Sequence, residues 1–386
     1  MTTERELVPV AFHEAIADEL ERGEPGLWKW IASDDYRAKH ADAVKLELLR
    51  STYRLTRETH EALYAALDEA ARRLGLDAPR TLYQAQRGDG LNAGLVFLPG
   101  EVHVVLCGAV QERLSPEELL ALFGHELAHF KLFSERDGRF RVADEVLQHI
   151  TRQPAHAPSH ANSARRAQLW MEFYADRGSV VASGSLNAAV SCLVKMQTGI
   201  NSVDAGAYLA QADEALGDLK GSRGDTHPEG FLRAWALKRW HETQPDDTLE
   251  LRTHGPLSLE TLDLVQQRKL TDVTRTFIAR LLSPEWMQTD AVLAHARRYF
   301  PEVDFAKLTV DEAPLPSGDT SLEEYFSFVM LDFAMADEDL EDRALSRMTR
   351  LAVTMNLEDT FTRVARKELR LSAANYAALT RREEPS

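Results

Sequence analysis

Residues 123–133 read FGHELAHFKLF: two histidines four positions apart, with a glutamate directly after the first. On an α-helix, positions i and i+4 share a face one turn apart, so His125 and His129 can aim ring nitrogens at one point. Glu126 projects about 100° around the helix, beside that point rather than on it. Two imidazoles on a metal ion, with a carboxylate alongside to take a proton from water, suit peptide hydrolysis. The plain alternative is an amphipathic helix that happens to carry two histidines. Just upstream, SPEE (115–118) supplies an N-cap serine, a proline at the first helical position and a capping-box glutamate, Glu118.

Catalytic zinc needs a third protein ligand. A histidine six residues past the second, with a glycine midway, is one solution. Those places hold Glu135 and Leu132, so that solution fails. The other common solution is a glutamate on a separate helix. WMEFYAD (170–176) supplies Glu172 as ligand, with Asp176 one turn later. Asp176 is placed to accept a hydrogen bond from the free ring nitrogen of a ligand histidine, His125 foremost, which would fix its tautomer. The rival third ligands are weaker. Glu135 is rotated away from the ligand face of a continuing helix, and Glu145 has no aspartate one turn later. His149, His156 and His160 suit no single helix face and read as solvated residues of the connection 134–164.

Four motifs follow in order within 91–240: LNAG (91–94), HELAH (125–129), EFYAD (172–176) and THPEGFLR (226–233). Together they resemble the zinc endopeptidases that include the heat-shock protease HtpX and the CAAX prenyl endopeptidases. The resemblance implies a zincin-type fold and one zinc ion per chain, held by His125, His129 and Glu172, with Glu126 as general base. It implies that His227 donates to the developing oxyanion, and that Asn92 and Ala93 precede an edge strand that binds substrate. Arg233 is then either a substrate contact or a structural ion pair. The chain departs from the pattern in two ways. Ala128 stands where the family usually has glycine, and the membrane helices of well-known members have no counterpart, so the resemblance is to a soluble branch.

The rest of the sequence frames this reading. A chain of 386 residues exceeds one small core, and a net charge of −16 disfavours nucleic acid and anionic membrane as partners. The two cysteines, Cys107 and Cys192, sit in apolar runs and fit a reducing compartment. No apolar run of about 18 residues suited to spanning a membrane is seen, and the N-terminus has acidic residues where a signal peptide would need an apolar stretch, so none is expected. The expected location is cytoplasmic. Residues 1–76 read as helical, and RTLYQAQ (80–86), LNAGLVFL (91–98) and EVHVVLCG (101–108) read as strands. Residues 165–184 and then 186–198, 203–220 and 228–243 read as helices. QPDDTLELRTHGP (244–256) reads as a boundary and DEAPLPSGDTS (311–321) as a linker.

The expected fold is mostly α (α+β). A zincin-type peptidase domain over 1–250, with a small β-sheet beside the active-site helix, precedes an all-helical module over 251–386. Within that module 322–372 resembles the tellurite-resistance B-type domain. A calcium loop starting at Asp337 is rejected, because its sixth and twelfth places hold Asp342 and Met348. The expected activity is zinc-dependent hydrolysis of extended or unfolded polypeptide. The alternative is an idle metallopeptidase fold acting as a scaffold, with a protein partner on the C-terminal module.

Overall fold

The computed structural model of the chain describes residues 6–86, 90–217, 221–224, 226–307, 315–316 and 318–380. They divide into two compact units, Met1–Gly255 and Pro256–Ser386. The first unit opens with helices α1 (Ala11–Gly23), α2 (Pro25–Ile31) and α3 (Asp34–Ser51), strand β1 (Thr52–Arg54) and helix α4 (Glu61–Arg73). Strands β2 (Arg80–Ala85), β3 (Asn92–Leu98) and β4 (Glu101–Cys107) follow, then a short helix α5 (Val110–Arg113). Helices α6 (Pro116–Ser134), α7 (Arg139–Thr151), α8 (Pro158–Ser183), α9 (Leu186–Thr198), α10 (Ala205–Ala215), α11 (Gly230–His241) and α12 (Asp247–His254) complete it.

The sheet runs β1-β2-β4-β3. β2 and β4 are parallel, whereas β1 on β2 and β3 on β4 are antiparallel. β3 therefore forms an edge, paired to β4 along one side from Asn92↔Cys107 to Leu98↔Glu101. Gly100, at φ 77°, makes the tight turn between them.

Two features of α6 follow from local sequence. Ser115 and Glu118 form the expected capping box, and burial of Phe123, Leu127 and Phe130 fixes which face turns inward. Gly184, in the left-handed conformation, ends α8. The central contact is α6 against α8. A Cβ added to Gly178 would overlap the Ala128 side chain and stand 2.6 Å from the Gly124 carbonyl oxygen. A Cβ on Gly124 would likewise overlap Ala182 and the Gly178 carbonyl. Both helices thus carry a small residue, three intervening residues and another small residue at the crossing, and their backbones nearly touch. Ala128 fits in place of glycine because Gly178 opposite it has no side chain.

Three stretches differ from the sequence reading. Thr52–Arg54, read as helical, is a strand on the sheet edge. Three residues are too few for a period, and the pairing with β2 decides their state. The polar stretch after Ser134 contains a helix, α7, whose buried Phe140, Ala143, Val146 and Leu147 recur at helical spacing among charged residues. The boundary 244–256 contains α12, anchored by buried Leu249 and Thr253 one turn apart. In addition, α8 starts at Pro158 rather than near 165, with the proline at its first position.

The second unit contains α13 (Leu264–Leu281), α14 (Asp290–Tyr299), α15 (Thr320–Ala334), α16 (Glu341–Thr354), α17 (Glu358–Glu368) and α18 (Ala373–Thr380). Its core gathers Phe277, Phe326, Phe333 and Phe361, with the rings of Phe277 and Phe326 4.9 Å apart. Residues 311–314 and 317 of the expected linker lie outside the described residues.

Gly178→Ala should lower thermal stability by about 1–3 kcal/mol through overpacking. That is a fall of several degrees, at about 2–4 °C per kcal/mol for a unit of this size. Gly23→Ala, with open space around it, should not. Adding Ala128→Gly to Gly178→Ala should recover part of the loss in the same melting experiment.

Candidate metal centre

α6 and α8 cross antiparallel, so His125 faces Asp176 and His129 faces Glu172. The two Nε2 atoms of His125 and His129 are 3.2 Å apart. The Glu172 carboxylate lies 3.6 Å from His125 Nε2 through Oε2 and 3.7 Å from His129 Nε2 through Oε1. One ligand atom from each residue falls within 4.8 Å of the others. Ligands about 2.0–2.1 Å from a tetrahedral ion stand roughly 3.3 Å apart, which is close to these spacings. Two further observations suit a cation. Glu172 Oε2 is buried and accepts no hydrogen bond. With Asp176 beside Nδ1 of His125, Nε2 is the ring nitrogen left to meet a ligand.

The support behind the ligands is built from charge. Asp176 Oδ1 lies 3.2 Å from His125 Nδ1, the atom not aimed at Glu172. Arg233, on α11, donates from Nε to Asp176 Oδ2 at 2.8 Å and from Nη2 to Asp176 Oδ1 at 2.6 Å. Its Nη1 lies 3.1 Å from Glu172 Oε2. Burial works against the Asp176 charge, but the Arg233 guanidinium holds the carboxyl well below the usual carboxylate range. Glu172 is held low in the same way, by Arg233 and then His125 against burial. Two buried carboxylates face one guanidinium, leaving one negative charge that a cation at the imidazoles would offset.

The two histidines differ. Burial would lower His125, but Asp176 and Glu172 outweigh it and raise its pKa. Burial and then the charge of His125 lower His129 to about 4, so His129 offers a free lone pair at neutral pH. Glu126 is buried, and burial raises its carboxyl above the ordinary range. It accepts a hydrogen bond from the backbone N–H of Leu95 on β3. The neighbouring outward N–H of Ala93 is taken by Asn92 Oδ1 at 2.9 Å. The free edge of β3 therefore runs directly beside Glu126.

His227 comes in from the turn before α11. Its Nε2 lies 3.5 Å from Glu172 Oε1, Nδ1 lies 2.9 Å from Thr226 Oγ1, and 61 % of the side chain is exposed. Asn92, Ala93, His125, Glu126, Glu172 and His227 line one cleft of about 720 Å³. Arg233 also reaches this cleft, yet it is 7 % exposed and paired to both carboxylates, the geometry of a structural ion pair. The rival metal ligands lie elsewhere. Glu145 pairs with Arg141 at 2.6 Å and Glu135 with Lys131 at 3.7 Å. His149 stacks edge-on against Trp30, and His156 is held to the Gln153 carbonyl. His160 stands 4.0 Å from Glu24.

Other cleft residues were not singled out by the sequence. Arg141, Asp144 and Gln148 come from α7 and Gln168 from α8. The buried pair of Lys195 with Glu118 at 2.7 Å joins α9 to α6. A charged residue breaking the apolar pattern of a helix is the signal that could have marked Asp144 and Lys195.

A His-His-Glu group on two antiparallel helices, with a glutamate between it and the outer edge of a strand, is an arrangement that could hold a metal ion beside an extended chain. Residues 57–245 match the model of peptidase family M48, and over that segment the chain is similar to this family. The family is zinc-dependent and acts on peptide bonds. No curated protein and no solved structure matches the chain. The expected tellurite-resistance resemblance of 322–372 has no support from the comparisons. Among the described residues, no helix is long and apolar enough to cross a membrane.

Arg233→Met should leave the Asp176 and Glu172 carboxylates buried without their cation and cost about 3–5 kcal/mol. Urea unfolding should show this as a lowered midpoint. Arg233→Lys should recover only part of it, because an ammonium cannot hold a carboxylate bidentately.

Proposed function

We propose that the unit Met1–Gly255 is a zinc-dependent endopeptidase that hydrolyses extended or unfolded polypeptide, with one zinc ion on His125, His129 and Glu172. The convergence of three ligand atoms from two helices, backed by Asp176 and Arg233, carries this reading. A zinc ion bound there supplies Lewis-acid chemistry, polarising a carbonyl and acidifying water. The chain's own residues supply the rest. Asp176 orients the His125 ring by accepting from Nδ1. The outer edge of β3 offers its backbone carbonyls, and the Ala93 and Leu95 N–H groups once Asn92 Oδ1 and Glu126 release them, to a substrate chain laid beside it as an added strand. Glu126, at the centre of that edge, takes a proton from the attacking water and returns it to the leaving amine. His227 donates from Nε2 to the oxygen on which negative charge develops. On this reading the peptidase domain covers about 1–250, a helical module covers about 251–386, and the chain works in the cytoplasm. An idle scaffold is not favoured, since the general base and all three ligand positions are filled in an open cleft.

Zinc analysis of purified protein, together with cleavage of casein or a peptide library, tests the reading. The wild type should hold about one zinc per chain. Glu126→Gln should retain it and lose activity by roughly 10²–10⁴-fold, and Glu172→Ala should lose most of the metal. Unchanged turnover in Glu126→Gln would overturn the mechanism. Zinc kept in Glu172→Ala but lost in Glu145→Ala would overturn the ligand set.

The neighbouring residues separate in a second experiment. His227→Ala should lower kcat by about 10²–10³-fold with zinc affinity kept. Asp176→Ala should weaken zinc affinity by roughly 10–100-fold, read by competition with a chelator. The opposite pattern would reverse the two roles.

A further inference from the structure

The cleft has two unlike ends. From the metal-ligand group in one direction lie Leu122 of α6 and Ala189, Leu193 and Met196 of α9, all apolar. In the other direction lie Gln168, one turn before Glu172 on α8, and Arg141, Asp144 and Gln148 of α7. The antiparallel crossing of α6 and α8 places these two groups on opposite sides of the ligands.

At the polar end the side chains converge on one carboxylate. Asp144 is 6 % exposed. Gln148 donates to its Oδ2 at 2.7 Å and Gln168 to its Oδ1 at 3.0 Å. Arg141 Nη1 reaches Oδ2 at 3.2 Å, but its Nε donates to Glu145 Oε1 at 2.6 Å and its guanidinium stacks over Phe133. Two carboxylates share one guanidinium, and the two amides add no charge. Among the described residues, the cation that contacts Asp144 is thus shared with Glu145, and Arg152 reaches Gln148 Oε1 at 3.4 Å rather than the carboxylate.

We propose that Asp144 is a specificity-determining residue, the base of a subsite that selects a lysine or arginine beside the scissile bond, while the α9 end takes an apolar side chain. The inference rests on the endopeptidase reading above and names its substrate class. Reach supports it. One helical turn places Gln168 about 6 Å from Glu172 along α8. An extended lysine side chain, five bonds of about 1.5 Å, covers that distance. Charge supports it too. Burial outweighs Arg141 and the amide donors and pushes the Asp144 carboxyl up to about 6, so a cation brought beside it would stabilise its charged form. An acidic side chain at this end meets repulsion, and a short neutral one leaves the site unfilled.

The test is binding as well as cleavage. Short dye-labelled alanine peptides would carry a leucine flanked on one side or the other by lysine, norleucine or glutamate. They would be titrated by fluorescence anisotropy into the zinc-supplemented Glu126→Gln protein. Lysine on one side of the leucine should bind about 10–100-fold more tightly than norleucine, the range for a charge-assisted hydrogen bond. Asp144→Asn, made in that background, should bring the ratio close to one. Gln168→Lys, which supplies the cation from within, should do the same and covers the case in which Asp144→Asn fails to fold. A lysine preference that survives either folded variant overturns the proposal, as does the absence of any lysine preference or of any binding. Wild-type protein that cleaves a peptide library without basic preference sinks the subsite and leaves the peptidase standing. Asp144-dependent lysine binding by a wild type that cleaves nothing does the reverse.

Discussion

The close crossing of α6 and α8 is the constraint on which the site depends. Gly124 and Ala128 on one helix meet Gly178 and Ala182 on the other, with no room for a larger side chain at the contact. The separation of the helix axes sets the separation of everything they carry. His125 and His129 lie on the same stretch of α6 as Gly124 and Ala128, and Glu172 and Asp176 lie within two turns of Gly178. Helices held farther apart by one methyl layer would pull the carboxylates away from the imidazoles. The chemistry of the site thus begins with the absence of side chains at two positions.

The close approach brings a cost, because it buries like charges together. Asp176 and Glu172 are both nearly inaccessible and stand one turn apart on one helix face. Arg233 answers this with a bidentate pair to Asp176 and a third contact to Glu172. A guanidinium suits the task because its fork is planar and permanently charged. The arginine still leaves one negative charge uncompensated, and the imidazole nitrogens mark where a cation would balance it. Support and candidate metal site are therefore parts of one charge balance, joined through Asp176 and His125.

Around this centre the cleft is assembled from elements with different roles. β3 contributes an unpaired edge because β4 occupies only its other side. The Leu95 N–H on that outer side is already engaged by Glu126, so the residue beside the candidate ligands also touches the strand. α9 is locked to α6 by the buried pair of Lys195 and Glu118, which fixes the apolar wall. α7 closes the other end with Asp144, its carboxylate oriented by two glutamines.

Much of this was legible in the sequence where the determinants are local. The capping box at Ser115 set the start of α6, and the i, i+4 spacings of His125 with His129 and Glu172 with Asp176 set two faces. A helical period needs only neighbours in the chain to be expressed. The strands were legible for the same reason, from β-branched runs and the Pro99–Gly100 turn. Other features were decided by tertiary contacts. Thr52–Arg54 became a strand because β2 offered a partner. α7 was obscured because its cleft-facing residues are polar and dilute the apolar pattern. The partner of Arg233 lies 57 residues away in sequence, and no local rule distinguishes an arginine that meets a substrate from one that meets two carboxylates. Asp144 entered the cleft only when α7 packed on α8. The sequence by itself determined which residues could share a face, whereas the packing of the helices determined which faces meet, because burial and charge compensation are properties of the folded neighbourhood.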